Sequence, residues 1–551
     1  MDTDEELSIL LELSEYDSFF DKKEKLLQSN GFSSKQRVCL WSPSKPGGTS
    51  DAVKVLVQIA RIIHLNKVEL YFADDARTSG EIYSPRNELE ALNSIIPLID
   101  TLLSSCKHPR TNILQELRTT ILALISDLGD KKILGSIVEK ELGCEQEEHL
   151  LEWGKSNGVR TQLQIAYVKG AGRGAIAEKD LKVGDIALEI PVSIIINEEL
   201  VRQTDMYRVL EKVEGISSET ILLLWSMKEK HNQDSRFRIY FDSLPEEFNT
   251  GLSFGVDALA TSVGTLLFEE ITVAKEHLRD QYGQLFPTLS DTFPEIFPPK
   301  MYTWKQFLWA CELWYSNSMT IKFSDGTLRT CLIPIAGFLN HSLCPHILHY
   351  GKIDPATNSL KFPLSRPCKS GEECCLSYGS FSNSHLITFY GFLPQGDNPY
   401  NVLPLDIDDA SCIDSTEDEL TSSWTEHMVR GTWLSNNCNM YCYGLPSPLL
   451  DHFRRRGNPK LHTKTYLQGD LENEVRVLED IRCISEAMMA NLDDPSLYDD
   501  DREDCSWDEK LALEYKIQQR EIVSSLLISC DSGIDMVKKE LRKCMAEDIR
   551  G

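Results

Sequence analysis

Residues 163–191 read LQIAYVKGAGRGAIAEKDLKVGDIALEIP, and this stretch decides the fold class. Apolar and less apolar side chains alternate over residues 163–168, which predicts a β-strand that runs into the glycine-rich turn 170–174. A dinucleotide-binding site would require a helix to begin at these glycines. Residues 185–191 instead alternate again, so the turn links two β-segments. Because glycines lack side chains, the backbone of this turn can come close to a bound small molecule.

Helical patterns surround this β-region. The region up to about residue 145 is predicted to be helical, with one face formed by Leu89, Leu92, Ile95, Ile96, Ile99, Leu102 and Leu103. A second helix is expected from Asn112, as N-cap, to Gly129. We interpret this region as a packing or protein-contact appendage, because it carries no recognisable chemistry.

A helical insert is predicted over residues 197–320. Its strongest amphipathic runs are 256–282 and 303–315. The β-pattern resumes at residues 330–335, so the insert interrupts one β-domain. Polar residues then cluster at positions typical of loops.

Composition excludes several classes of function. A chain of 551 residues is long for one hydrophobic core, so two or three domains are expected. The net charge of −28, without a basic stripe, argues against direct nucleic-acid binding. The acidic surface either attracts a lysine-rich protein segment or only keeps the chain soluble. No apolar run is long enough for a membrane span. The acidic start, Met1 to Glu6, is unlike a transit peptide, and we expect a cytoplasmic or nuclear protein.

The 16 cysteines indicate a reducing compartment rather than a disulfide framework. Cys368, Cys374 and Cys375 lie close together in sequence, and Cys438 and Cys442 have a helical spacing. Neither group has the paired C-x-x-C spacing of a zinc site. We therefore expect structural or free thiols and no metal.

Five short motifs together resemble a SET domain. They are Gly172-Arg173-Gly174, Asn340-His341-Ser342, Tyr378-Gly379, Ser382-Asn383 and Gly391-Phe392. Their order and rough spacing are similar to the subgroup that contains the Rubisco large-subunit methyltransferase. This resemblance covers residues 148–530 and leaves the N-terminal region outside it. It implies a protein methyltransferase that uses S-adenosyl-L-methionine.

The resemblance implies a role for each motif. Gly172, Arg173 and Gly174 would cradle the cofactor through their backbone, and Asn340 and His341 would bind its adenosine and amino-acid portions. Taken alone, His341 could equally be a core histidine that holds two loops together. In SET folds the Asn-His segment passes beneath the loop that carries the tyrosine.

Tyr378 is the expected catalytic residue and also contacts the cofactor. A phenol can orient a lysine amine without becoming a strong nucleophile. Tyr390 and Phe392 would form the walls of a substrate channel, where they attract a sulfonium or ammonium cation, although plain core packing is an alternative for both. Methyl transfer of this kind needs alignment rather than a metal.

Two positions depart from the family pattern. Asn317 stands where related enzymes have an arginine that holds the cofactor carboxylate, and Gly337 stands where they have an acid. Lys322 is a possible replacement cation. These differences keep a catalytically impaired protein-binding module as an alternative function.

The sequence thus predicts an α+β protein in three parts. Residues 1–147 form an N-terminal helical region, residues 148–405 form the SET domain of short β-sheets with its helical insert, and residues 406–551 form a helical, substrate-binding-like domain. A cap that only stabilises the SET domain is the alternative for the last part. The expected partner is a lysine-containing protein. Histidine is the alternative acceptor, because a relative in this subgroup methylates a histidine in actin. A monomer that binds no membrane is expected.

Overall fold

The computed structural model describes residues 7–41, 49–73, 84–105, 111–132, 138–140, 145–213, 216–405, 427–430, 439–457, 468–492 and 505–548. The acidic segments 406–418 and 493–504, residues 1–6 and Cys438 lie outside these ranges. A search of the described helices finds none with the length and apolar character of a membrane span.

The N-terminal unit packs helices against a two-stranded antiparallel sheet. Its elements are β1 (Leu7–Glu12), α1 (Phe20–Ser29), β2 (Lys35–Trp41), α2 (Thr49–Ile63), α3 (Lys67–Ala73), α4 (Pro85–Ser105) and α5 (Thr111–Lys132). These elements enclose an apolar core of their own. The predicted apolar face lies on α4, where Leu89, Leu92 and Ile95 are fully buried.

Two features of this unit differ from the sequence prediction. The region is not helical throughout, because β1 pairs with β2 from Leu7 to Glu12. Buried and more exposed residues alternate along β1, which is the period of a strand rather than a helix. Helix α5 begins at Thr111, so Asn112 lies inside its first turn and is not the cap.

The first half of the SET domain contains a β-hairpin that carries the glycine-rich motif. Its elements are β3 (Val138–Lys140), α6 (Glu145–Ser156), β4 (Arg160–Thr161), β5 (Leu163–Val168), β6 (Gly172–Ala177) and β7 (Ile186–Pro191). Strands β5 and β6 pair antiparallel from Leu163 with Ala177 to Val168 with Gly172. Arg173 and Gly174 therefore lie in a strand, and the turn comprises residues 169–171.

The insert is helical, as predicted, but its last helix ends at Asn317, and β-structure resumes at Ser318 rather than at residue 330. Its helices are α7 (Glu198–Arg202), α8 (Asp205–Leu210), α9 (Ser218–Glu229), α10 (Arg238–Ser243), α11 (Val256–Ser262), α12 (Leu266–Thr292) and α13 (Trp304–Asn317). The expected continuous run 256–282 is broken at Gly264, which has a φ of +82° and abuts the backbone of Asn491. Thr265 then caps α12 by accepting a hydrogen bond from the amide of Phe268.

The second half of the SET domain rejoins the first through a sheet. Its elements are β8 (Ser318–Lys322), β9 (Leu328–Leu332), β10 (Ile353–Asp354), β11 (Ser359–Pro363) and α14 (Asn383–Tyr390). One sheet has the strand order β10-β11-β7-β4, with Leu360 opposite Ile190. Pairing of β11 with β7 thus closes the domain across the insert.

The C-terminal unit is mostly helical and packs on the insert. Its elements are β12 (Val402–Pro404), β13 (Met428–Arg430), α15 (Ser447–Gly457), α16 (Gln468–Asn491) and α17 (Trp507–Asp548). Ala512 and Tyr515 of α17 share an apolar cluster with Phe254 of the insert. The Asp508 carboxylate accepts the amide N–H of Gly255 at 2.8 Å. The whole architecture is α+β, as predicted.

Candidate active site

A cavity of about 800 Å³ lies where the two halves of the SET domain meet the insert. Six of the predicted site residues line it, namely Arg173, Asn340, His341, Tyr378, Tyr390 and Phe392. Gly172 and Gly174 are not part of its wall, whereas the turn residues Lys169, Gly170 and Ala171 are. The hairpin therefore contributes its turn and one strand position to the cavity.

The Asn-His segment runs beside the tyrosine segment, as the resemblance implied. The amide of Leu376 donates to the Asn340 carbonyl at 2.9 Å, and the amide of Ser342 donates to the Leu376 carbonyl at 3.0 Å. The amide of Tyr378 donates to His341 Nδ1 at 3.1 Å. These bonds place both segments in the same wall of the cavity.

Asn340 links β6 to a carboxylate that the sequence analysis missed. Its Nδ2 donates to the Arg173 carbonyl at 3.0 Å and to Glu373 Oε1 at 2.9 Å. A Cβ at Gly174 would lie 2.7 Å from the same Glu373 oxygen. Gly174 is therefore required for the close approach of Glu373 and Asn340 to the strand. A Cβ at Gly172 would meet no atom within 4 Å.

The side chain of Arg173 anchors the hairpin to neighbouring helices. Its guanidinium donates to Glu147 Oε1 of α6 at 3.0 Å and to the Ser243 carbonyl at the end of α10 at 2.7 Å. It also lies over the Phe338 ring at 5.2 Å. Its backbone faces the site while its side chain holds the surrounding helices in place.

His341 is neutral at physiological pH. Burial lowers the pKa of its imidazole to about 4. Because Nδ1 accepts the amide N–H of Tyr378, the proton of the neutral ring lies on Nε2. The ring can therefore donate a hydrogen bond without carrying charge.

Tyr378 stands among aromatic rings at the inner end of the cavity. Its ring stacks on Tyr390 at a centroid distance of 4.9 Å and meets Phe392 edge-on at 6.3 Å. Burial raises the pKa of its phenol far above the usual range, with further contributions from Cys375 and other neighbours. Tyr378 therefore keeps its proton, so it can orient an amine but does not act as a base.

The last two sequence motifs form the ends of α14. Ser382 caps the helix by accepting the amide N–H of His385, and Gly391 ends it with a φ of +77°. A Cβ at Gly391 would lie 1.7 Å from the Asn249 carbonyl oxygen, so only glycine fits. These motifs position Tyr390 and Phe392 and bring the insert against them.

The two departures from the family pattern are neighbours in space. Asn317 and Gly337 both line the cavity. A Cβ at Gly337 would lie 3.0 Å from Asn317 Oδ1. Lys322 is exposed and does not line the cavity, so the idea that it replaces the missing cation is wrong. Lys169 and Arg366 are cationic residues of the cavity wall instead.

Several wall residues carried no sequence signal. Glu373 is buried against Asn340, and Phe248 and Asn249 reach the cavity from the insert. No motif marks them, because they become neighbours of the site only when the insert folds back.

Comparison with known proteins gives one family match. The family model described as Rubisco LSMT substrate-binding matches residues 14–134. The expected limit of the resemblance at residue 148 is therefore wrong, because this match lies in the N-terminal unit. The match does not fall on residues 406–551, whose substrate-binding role stays a prediction.

Curated relatives match about half of the chain. The chloroplastic fructose-bisphosphate aldolase-lysine N-methyltransferase of Arabidopsis thaliana is 26% identical over 251 residues, covering 44% of this chain and 51% of the relative. The chloroplastic Rubisco large-subunit N-methyltransferase of Pisum sativum is 24% identical over 300 residues, covering 53% and 58%. An actin-histidine N-methyltransferase of Dasypus novemcinctus is 23% identical over 311 residues, covering 54% and 51%. The chain thus spans little more than half the length of these relatives.

Solved structures show the same fold. The SET domain of LSMT bound to methyl-lysine and AdoHcy superposes with a TM-score of 0.54 at 18% identity, covering 75% of this chain and 98% of that chain. Rubisco LSMT bound to AdoMet gives a TM-score of 0.52 at 17% identity, covering 74% and 98%. The predicted SET architecture is therefore confirmed.

Proposed function

We propose that this LSMT-like SET-domain protein is an S-adenosylmethionine-dependent protein N-methyltransferase and that lysine is its acceptor. One observation carries the proposal. The hydrogen bond from the Tyr378 amide to His341 Nδ1, at 3.1 Å, joins the expected cofactor segment to the expected catalytic phenol in one cavity wall. The similarity to lysine N-methyltransferases supports the choice of acceptor.

The cavity fits S-adenosylmethionine, which supplies an electrophilic methyl group when bound. Its volume of about 800 Å³ lies within the roughly 300–1,000 Å³ of small-molecule sites. The Glu373 carboxylate and the rings of Tyr378 and Phe392 suit a sulfonium and an ammonium group. Lys169 of the turn offers positive charge for a carboxylate. We assign adenosine contacts to Asn340, as the resemblance implies.

Tyr378 acts by positioning the acceptor amine. Its protonated phenol can hydrogen-bond the nitrogen and fix its direction of attack, and such alignment lowers a barrier by several kcal/mol. A lysine ammonium that enters this aromatic surrounding loses hydration, which favours the neutral, reactive amine. The ammonium therefore releases its proton to solvent water as it enters, and not to Tyr378, which keeps its own.

The stacked rings of Tyr378 and Tyr390 restrict the route by which the acceptor lysine side chain enters the cavity. An alkyl chain between two ring faces needs roughly 7 Å, twice a carbon contact distance. Tyr378 and Tyr390 are only 4.9 Å apart, so the lysine passes along the edges of the stack. Phe392, edge-on to Tyr378, borders that route.

The test of this proposal is Tyr378→Phe, with Tyr16→Phe at an exposed position as the matched control. We expect turnover to fall at least about a hundredfold in Tyr378→Phe, because the hydrogen bond that orients the amine is lost, while cofactor affinity changes little. Methyl transfer from radiolabelled cofactor to cell-extract proteins measures the first, and calorimetric titration measures the second. Full activity of the Tyr378→Phe protein would contradict the assignment.

Histidine is the second candidate acceptor, because actin-histidine N-methyltransferases are among the relatives. Amino-acid analysis of the labelled product separates the two. Methyl-histidine in that product would reject lysine while retaining the transfer reaction. A catalytically impaired binding module remains the alternative that Asn317 and Gly337 favour.

The N-terminal unit is a further candidate for contact with the protein substrate. Its similarity to the Rubisco LSMT substrate-binding family supports this role. Asn66 Nδ2 of this unit donates to Ser380 Oγ at 3.0 Å, two residues beyond Tyr378. A substrate bound to this unit would thus lie close to the tyrosine segment.

A further inference from the structure

Three side chains of the types that bind metals lie close together at the cavity, which His346 lines, and they take no part in the proposed methyl transfer. Among the described residues, a ring nitrogen of His346 and the sulfur atoms of Cys368 and Cys374 all lie within 4.8 Å of one another. All three side chains are buried. We propose that His346, Cys368 and Cys374 bind a zinc ion.

Imidazole and thiolate are the ligands that zinc prefers, and four ligands in a tetrahedron are usual. Zinc-bound sulfur and nitrogen atoms lie roughly 2.0 to 2.3 Å from the ion, so ligand atoms of one site are roughly 3.5 Å apart. The mutual limit of 4.8 Å in the metal-free arrangement requires only small side-chain movements to reach that geometry. With three protein ligands, one position of the tetrahedron would stay open to a further ligand.

Charge balance favours a divalent ion here. Binding of Zn²⁺ to two thiols forms two zinc–sulfur bonds and releases two protons, so the net charge of the buried group stays the same. The remaining charges nearby already balance, since Arg366 Nη1 lies 3.4 Å from Glu372 Oε1. Zinc therefore enters without leaving an unpaired buried charge.

The imidazole of His346 is oriented for this role. Its Nδ1 accepts the Cys375 amide at 3.1 Å and Arg366 Nη2 at 3.3 Å, so the ring proton lies on Nε2. The Nε2–H group donates a hydrogen bond to Glu372 Oε1 at 3.0 Å. A carboxylate that holds one ring nitrogen is typical of metal-ligating histidines. Nδ1 would then be the zinc ligand, in place of the two N–H donors whose hydrogen bonds it now accepts.

The zinc site would fasten together the segments that build the cavity. Cys374 is held on β6, where its amide donates to the Ala175 carbonyl at 2.8 Å. Cys368 pairs with Leu181, whose amide donates to its carbonyl at 2.8 Å. The His346 amide donates to the Cys375 carbonyl at 2.9 Å. One ion would thus link the segment that follows Asn340-His341 to the residues around Cys368 and Cys374 that precede Tyr378.

The experiment measures zinc in the full-length chain, expressed with added zinc and purified without a chelator or a polyhistidine tag. Elemental mass spectrometry should find one zinc ion per wild-type chain. The Cys368→Ala and Cys374→Ala proteins should lose this zinc. Cys530→Ala, which removes a buried thiol of the C-terminal unit, is the matched control and should keep the ion.

A second measurement does not depend on the folding of variants. Wild-type protein reconstituted with cobalt should show the charge-transfer absorption of thiolate-bound, tetrahedral cobalt. The proposal is overturned if wild-type protein contains no zinc and shows no cobalt charge-transfer band. Full zinc content in both cysteine variants would also overturn it. So would a Cys368–Cys374 disulfide found by mass spectrometry.

Discussion

Restoring the family's charged pair at positions 317 and 337 tests how the cavity holds its cofactor. Asn317 Oδ1 lies 3.0 Å from the place that a Cβ of Gly337 would occupy, and both residues line the cavity. The two positions therefore act as neighbours. The perturbation is a set of three proteins, Asn317→Arg, Gly337→Asp and the double variant.

The expected magnitudes follow from this contact. A new charge-assisted hydrogen bond from an arginine at position 317 contributes roughly 1.5 to 3 kcal/mol, which tightens cofactor binding about tenfold to a hundredfold. Gly337→Asp alone should weaken binding. It pushes on Asn317 and places a carboxylate near that of the cofactor. In the double variant the acid orients the arginine, so the two changes should be non-additive by about 1 kcal/mol or more.

Calorimetric titration of each protein with S-adenosylmethionine measures these effects. Lys322→Ala is the control, because this exposed lysine does not line the cavity and its loss should leave affinity unchanged. Tight binding by the wild type, with no gain in either arginine variant, would refute the reasoning that a cation is missing. A large loss of cofactor affinity in Lys322→Ala would also refute it.

Three further outcomes follow from the structure. Burial lowers the pKa of His341 from 6.5 to about 4, so its contribution to the free energy of unfolding is complete above pH 6.5 and falls as the pH drops toward 4. The loss should reach about 2 kcal/mol at pH 5. Urea unfolding should show that His341→Asn removes this loss and that His277→Asn, at an exposed position, does not. Gly391→Ala should severely lower the melting temperature and the activity. Gly326 has a similar φ but open space around it, so Gly326→Ala should lower the free energy of unfolding by only about 1 kcal/mol. Equal melting temperatures of the two variants would contradict this. A chain that ends at residue 405 should have a lower melting temperature than the full chain, because it lacks the α17 residues of the shared apolar cluster. An unchanged melting temperature in a fluorimetric scan would reject that packing.

The sequence by itself determined the class of fold. Alternation over residues 163–168 and 186–191 and the helical period of the insert are local properties, and each survived in the structure. The motif residues Asn340, His341 and Tyr378 were also readable, because their resemblance depends on residue type and order. Periodicity failed where tertiary contacts set the geometry, as at Gly264, which abuts the backbone of Asn491.

The tertiary structure alone decided which residues share a site. It placed Gly337 against Asn317, buried Glu373 beneath Asn340, and removed Lys322 from the cavity. It also gathered His346, Cys368 and Cys374, whose spacing matches no zinc motif. The physical reason is that local sequence fixes dihedral preferences, whereas contacts between distant segments depend on how the insert folds back and how β11 pairs with β7.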